Sequence, residues 1–292
     1  MSFLIDAFEP AFMQRALIGG LIAVVATSLV GTWIVLRGLA FLGDALAHGV
    51  IPGVALAVLW GFNPALGAFV SAIIMSGLVT LVSNRTPVRD DTAIGLLFVG
   101  MLSLGVVIIS KAGSFKTDVA VVLFGDALGI TVGDIQNQIV YTSIVAVITL
   151  LLYRPFLALT FNEMKAQTLG MHPKLSQAAL LGLLSLSIVA SFQTVGTLLV
   201  FGLLVAPPAT ASLLVKKVPQ IMAVSMLLGA VAVVAGLVVS FHYGTAGGAT
   251  MAGFSVLQFF IVLAGHAGFN LIRNSKSYGE HKERISDFSE IS

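Results

Sequence analysis

The stretch PQIMAVSMLLGAVAVVAGLVVSF, residues 219–241, contains no charged side chain and is apolar almost throughout. A helix that crosses the roughly 30 Å hydrocarbon core of a bilayer needs about 20 such residues, and this stretch is long enough to do so. Working outward, similar runs occur at about residues 12–36, 44–60, 64–83, 92–110, 137–153, 175–192, 195–214 and 249–272. The breaks between them hold turn-forming and charged residues, such as Phe62-Asn63-Pro64, Asn84-Arg85-Thr86-Pro87 and Ala246-Gly247-Gly248. Composition agrees: 58% of the 292 residues are hydrophobic and 10% are charged, with a mean hydropathy of +1.04. A soluble domain carries about 25% charged residues, so lipid is the solvent here. The expected fold is all-α, a polytopic transmembrane bundle of about eight or nine spans, with no room for a separate soluble enzyme. Residues 1–273 form the membrane domain and 274–292 a polar cytoplasmic tail.

The distribution of cations sets the orientation. With the loop at Asn84–Asp91 inside and the chain alternating from there, only Arg15, Lys111 and Lys116 of the 15 Lys and Arg residues fall outside. The C-terminus is thus expected in the cytoplasm and the N-terminus outside. Asp6 and Glu9 stand where a secretory signal would be basic, so the first run reads as a retained span. Arg15 inside that run makes it the least regular of the set. The segment from Val119 to Gly129 is too short to span and reads as re-entrant or interfacial.

Within the second run, Asp44 and His48 are four residues apart and share one helical face. An ionised Asp near mid-membrane costs on the order of 3 kcal/mol unless it is paired or faces water. Such residues are functional candidates, although a pair that only hydrogen-bonds neighbouring helices would look the same. A carboxylate oxygen and an imidazole nitrogen suit Mn, Zn or Fe. Ala45, Gly49, Gly53 and Ala57 form a small-residue stripe beside the pair, suited to a closely packed neighbour, and Pro52 loosens the helix just beyond it. His242 ends the run quoted first; by itself it fits an interfacial histidine better than a ligand. His266 is read as a helix–helix hydrogen-bonding residue, Asp126 as a vestibule or cap residue, and His172 and His281 as surface residues.

The stretch from Thr160 to Gly170 reads as a short cytoplasmic helix, capped by Asn162, with Glu163 in its first turn and Gly170 at its end. Phe161, Met164 and Leu169 give it an apolar side, suited equally to a soluble partner or to lipid headgroups. Cysteine is absent, which removes thiolate chemistry. No Gly-x-x-x-x-Gly-Lys phosphate loop, His-Glu-x-x-His motif or Gly-x-Ser-x-Gly elbow occurs. Any ATP-driven work would therefore need a separate ATPase chain, and an enzyme is not expected.

Several blocks together resemble the permease family of manganese, zinc and iron ABC importers. They are Gly43-Asp44 through His48 to Pro52-Gly53, Asp91-Thr92-Ala93-Ile94-Gly95, and Phe124-Gly125-Asp126 through Asp134. The others are Phe161-Asn162-Glu163 through Ala166 to Gly170, and Val195-Gly196-Thr197-Leu198-Leu199 through Ala206-Pro207-Pro208-Ala209-Thr210-Ala211. The resemblance implies a type II-like importer permease that works as a homodimer in the bacterial plasma membrane. Two cytoplasmic ATPase subunits and an extracytoplasmic metal-binding protein would complete it, with no nucleic-acid partner. It implies that Asp44 and His48 belong to the path of a transported divalent metal (Mn, Zn or Fe), that no cofactor is permanently bound, and that His242 is a second metal contact. Phe161, Asn162, Glu163, Ala166 and Gly170 would couple to the ATPase. Asn162 stands where the family usually has Asp, and Gly244 and Thr245 stand where an acidic residue often follows the position of His242. From the residues alone, a permease for a metal chelate or other small solute, and an ion-coupled secondary transporter, remain alternatives.

Overall fold

The computed structural model describes residues 6–85, 90–111, 127, 129–161, 171–196 and 200–267. Regular structure among them is entirely helical. In chain order the helices are α1 (Ala11–Leu36), α2 (Ala40–Gly49), α3 (Ile51–Leu59), α4 (Pro64–Arg85), α5 (Asp90–Lys111), α6 (Val132–Leu151), α7 (Tyr153–Phe161), α8 (Pro173–Val195), α9 (Val200–Leu214) and α10 (Val218–Tyr243). The last, α11, is Gly247–Ala267. Among the described residues eight spans are long and apolar enough to cross a bilayer, with α2 and α3 counted as one, and α9 is a shorter apolar helix. The expected span count is therefore met. The segment from Val119 to Gly129 falls outside the described residues except for Ala127 and Gly129.

Local sequence explains the helix ends. After α1 the chain reverses at Gly38, whose φ is +68°. Leu39 N–H there reaches back to the Ile34 carbonyl at 2.9 Å, and Gly38 N–H bonds Val35. That is the left-handed glycine stop which satisfies otherwise orphaned carbonyls. Gly61 (φ +72°) ends α3 in the same way, with Phe62 N–H on the Ala57 carbonyl at 2.7 Å. Asn63 then caps α4 by accepting from Ala65 N–H at 2.8 Å, ahead of Pro64. At the start of α6, Thr131 and Asp134 form a reciprocal capping box. Asp134 is thus a helix-starting residue.

The first helix is the hub. In the apolar window of α1, 72% of residues are buried, against 17% for α5, 22% for α6 and 28% for α11. It packs against α6, α8, α9 and α10, and Trp33 on it is fully buried with its ring edge-on to Tyr153 and Phe156. Arg15 is half-buried near the start of this helix, so the least regular run in the sequence forms the centre of the bundle.

Glycine makes the tightest crossings possible. A Cβ at Gly20 would strike Val233, and one at Gly229 would strike Val24, so α10 runs antiparallel to α1 with each glycine receiving a valine. At Gly31 a Cβ would strike the Leu204 carbonyl oxygen. Pro208, four residues on, has no N–H to occupy that oxygen within α9. The freed carbonyl therefore lies against the bare Gly31 backbone. Gly53 and Gly67 are reciprocal, since a Cβ on either would meet the other's carbonyl oxygen. Beside them the Ser71 hydroxyl donates to the Gly49 carbonyl at 2.6 Å. The stripe anticipated at Gly49, Gly53 and Ala57 thus packs on α4, and Val50 separates α2 from α3 just before Pro52.

Gly53→Leu should cost on the order of 3 kcal/mol or more, because backbone rather than a flexible side chain stands in the way. Gly100→Leu, on α5 with open space around it, should be neutral. Yield of monodisperse detergent-extracted protein and its thermal midpoint distinguish the two.

Candidate metal path

Asp44 and His48 lie on α2, one turn apart. His48 Nδ1 is 2.9 Å from the Asp44 backbone carbonyl oxygen and 3.5 Å from Asp44 Oδ1. A carbonyl oxygen only accepts, so Nδ1 carries the hydrogen in this bond. In the neutral imidazole that leaves Nε2 as the basic nitrogen, the form in which histidine binds a metal ion. The ring edge packs on Phe98 of α5, with centroids 5.0 Å apart. The side chains remain partly open, 14% for His48 and 29% for Asp44.

The face that carries the pair is turned toward α5. Phe41 lies by Gly95, Ile51 fills the space at Gly105, and His48 sits between them on Phe98. The neighbouring small-residue face packs on α4. The pair therefore occupies the α2–α5 seam, and α5 is the least buried of the long helices. A carboxylate at bilayer depth with a partly open side chain requires water, an ion or a polar neighbour to cover it.

His242 repeats the local chemistry at another place. Its Nδ1 is 2.9 Å from the Val238 carbonyl oxygen, which again leaves Nε2 as the basic nitrogen. It is exposed in the last turn of α10, before Gly244 (φ +64°). Contacts along α1 fix its depth. Val233 is level with Gly20 and α10 runs toward the α1 N-terminus, whereas Gly43 is level with Ile34 near the α1 C-terminus. At a rise of about 1.5 Å per residue, His242 and Asp44 are roughly 30 Å apart along the bundle within one chain. The structure thus brings Asp44 and His48 together and sets His242 at the other end. Among the described residues no group of three or more potential metal ligands forms.

Of the coupling residues, Phe161 is the last residue of α7 and is 71% exposed. Asn162, Glu163, Ala166 and Gly170 lie outside the described residues, as does Asp126. His172 is exposed at the N-cap position of α8, and His266 is exposed at the end of α11.

Residues 9–266 match the model of the ABC 3 transport family. The chain belongs to the ABC 3 transport family. Among relatives of this ABC 3 member, the manganese transport system membrane protein MntC of Listeria monocytogenes is 34% identical over 89% of this chain and 93% of its own. The chelated iron transport system membrane protein YfeD of Yersinia pestis is 32% identical, over 90% of this chain and 88% of its own. Among solved structures, a chain of PsaBC from Streptococcus pneumoniae in complex with Fab superposes with a TM-score of 0.82 at 30% identity, covering 89% of this chain and 94% of that one. The anticipated permease family and its helical fold are therefore established for this ABC 3 chain, a multi-pass membrane protein.

If Nδ1 is the protonated nitrogen at both His48 and His242, nitrogen NMR of histidine-labelled protein should show Nδ1 in the N–H class and Nε2 in the lone-pair class. The reverse tautomer at His48 would contradict the ligand geometry described here.

Proposed function

We propose that this chain is the membrane-spanning subunit of an ABC importer for a divalent transition-metal ion, with Asp44 and His48 as a transient site on its path. The observation that carries the reading is the Asp44–His48 pair on a family-matched bundle, with the imidazole Nε2 left as the basic nitrogen. One carboxylate and one imidazole hold an ion weakly enough to release it, as conduction requires. The donor set accepts Mn, Fe or Zn, and relatives named for manganese and for chelated iron agree with that range.

The chain works as a homodimer with a cytoplasmic ATPase dimer and an extracytoplasmic metal-binding protein, in the bacterial plasma membrane with its C-terminus inside. It has no ATPase motif of its own and no permanently bound cofactor. The partly open carboxylate at the α2–α5 seam fits a path that is completed by a twin subunit. A two-fold axis along the bilayer normal preserves depth, so a twin's His242 would also lie far from Asp44. His242 is therefore a separate station, at the outer mouth where the delivery protein docks, and Phe161 with Asn162, Glu163, Ala166 and Gly170 forms the inner contact with the ATPase.

A specific finding supports a second reading, a permease for a metal chelate: the YfeD relative is named for chelated iron. Uptake of radiolabelled free Mn, Fe or Zn by cells expressing the whole system separates the readings. Asp44→Ala and His48→Ala should each lower uptake at least tenfold with the protein still in the membrane. His242→Ala should act mainly at low external metal. Undiminished free-ion uptake by the Asp44 and His48 variants would remove the site, and uptake surviving loss of the ATPase would favour a secondary transporter.

A further inference from the structure

We propose that the groove between α4 and α8 is a binding site for an anionic glycerophospholipid, with its phosphate on Arg85 and an acyl chain along Gly77 and Gly182. The groove encloses about 600 Å³ between Ile73, Gly77, Leu81 and Arg85 on one side and Ala178, Leu181 and Gly182 on the other. That volume is within the roughly 300–1,000 Å³ of small-ligand pockets.

The described residues build a floor and no roof. Ser76 and Ser185 meet at 3.5 Å between the two helices, and Ser185 also bonds the Leu181 carbonyl of its own helix. These buried serines hold α4 to α8 from beneath. Next to them, Gly77 and Gly182 present no side chain, and among the described residues nothing lies within 4 Å of where a Cβ would stand on either. Gly77 and Gly182 thus leave two open positions on adjoining helices that line one groove. Ile73 and Leu81 are exposed along the rim, as side chains in contact with hydrocarbon would be. Gly182 also borders a second apolar cavity of about 530 Å³, lined by Phe69, Tyr141, Ile148 and Leu183.

Charge and length select the occupant. Arg85 is the cation in the last turn of α4 and lines the groove at that end. From Arg85 to Ile73 the groove follows about 18 Å of helix, near the ~15 Å depth of one leaflet's hydrocarbon. A cation at the mouth and an open apolar slot of one-leaflet length complement a phosphate headgroup with its acyl chain.

The test is native mass spectrometry of the purified full chain, extracted from nanodiscs of mixed phosphatidylglycerol and phosphatidylcholine. Wild type should retain phosphatidylglycerol preferentially. Arg85→Gln should lower the retained ratio of the two lipids about fivefold, the size expected for one cation near the surface, and Arg85→Lys should restore most of it. Gly182→Leu, or Gly77→Leu if the first is not monodisperse, should displace the held lipid whatever its headgroup. An unchanged ratio in Arg85→Gln overturns the proposal. Because the chain has no cysteine, Gly182→Cys gives a further arm: a disulfide-linked dimer in membranes would mean that a second copy fills the groove, and would also overturn it.

Discussion

Inside a bilayer no hydrophobic gain holds one helix to another, since lipid tails are as apolar as leucine, and association rests on close packing and hydrogen bonds. This chain meets that constraint with backbone contact at glycine. Gly20 and Gly229 each accept a valine between α1 and α10, Gly31 lies on the Leu204 carbonyl of α9, and Gly53 and Gly67 face each other between α3 and α4. Three of these five positions lie on or against α1, which explains why the most buried helix is the first. Removing the glycine contacts would leave individually stable helices with little reason to assemble.

The same rule explains how much could be read from sequence. Span number and approximate limits follow from hydropathy because every backbone group at that depth must be satisfied within its own helix. The stripe at Gly49, Gly53 and Ala57 was visible as spacing, yet its partner, Gly67 with Ser71, lies on another helix and has no local mark. The centrality of α1 was hidden for a different reason. A helix buried by protein and one bathed in lipid are equally apolar, so neither periodicity nor composition separates them. Arg15 pointed the wrong way, toward irregularity. The Thr131–Asp134 capping box has a readable signature, Thr followed three residues later by an acid ahead of an apolar run.

The candidate site divides in the same manner. Asp44 and His48 are one turn apart, so their meeting is a property of helix geometry alone and is legible at once. The depth of His242 depends on which way α10 runs beside α1, which no local pattern encodes. Three polar residues that looked like one ligand set are two separate features about 30 Å apart on the bundle axis. The proposed path thus has an outer and an inner station rather than a single cage, and the ion would pass between them by way of surfaces that a single chain does not enclose.

Both histidines are oriented by their own helix, through Nδ1 and the carbonyl four residues back. Metal-binding histidines commonly donate their other ring N–H to a carboxylate, a backbone carbonyl or water, and where that partner sits on another element, rearrangement of the fold disturbs the ligand itself. Here the ring and its tautomer travel with α2 or α10 as a unit. A bundle that rocks between two arrangements would keep each donor intact and change only what stands opposite it. On the proposed path, grip on the cargo would then be a property of the gap between helices rather than of either histidine itself.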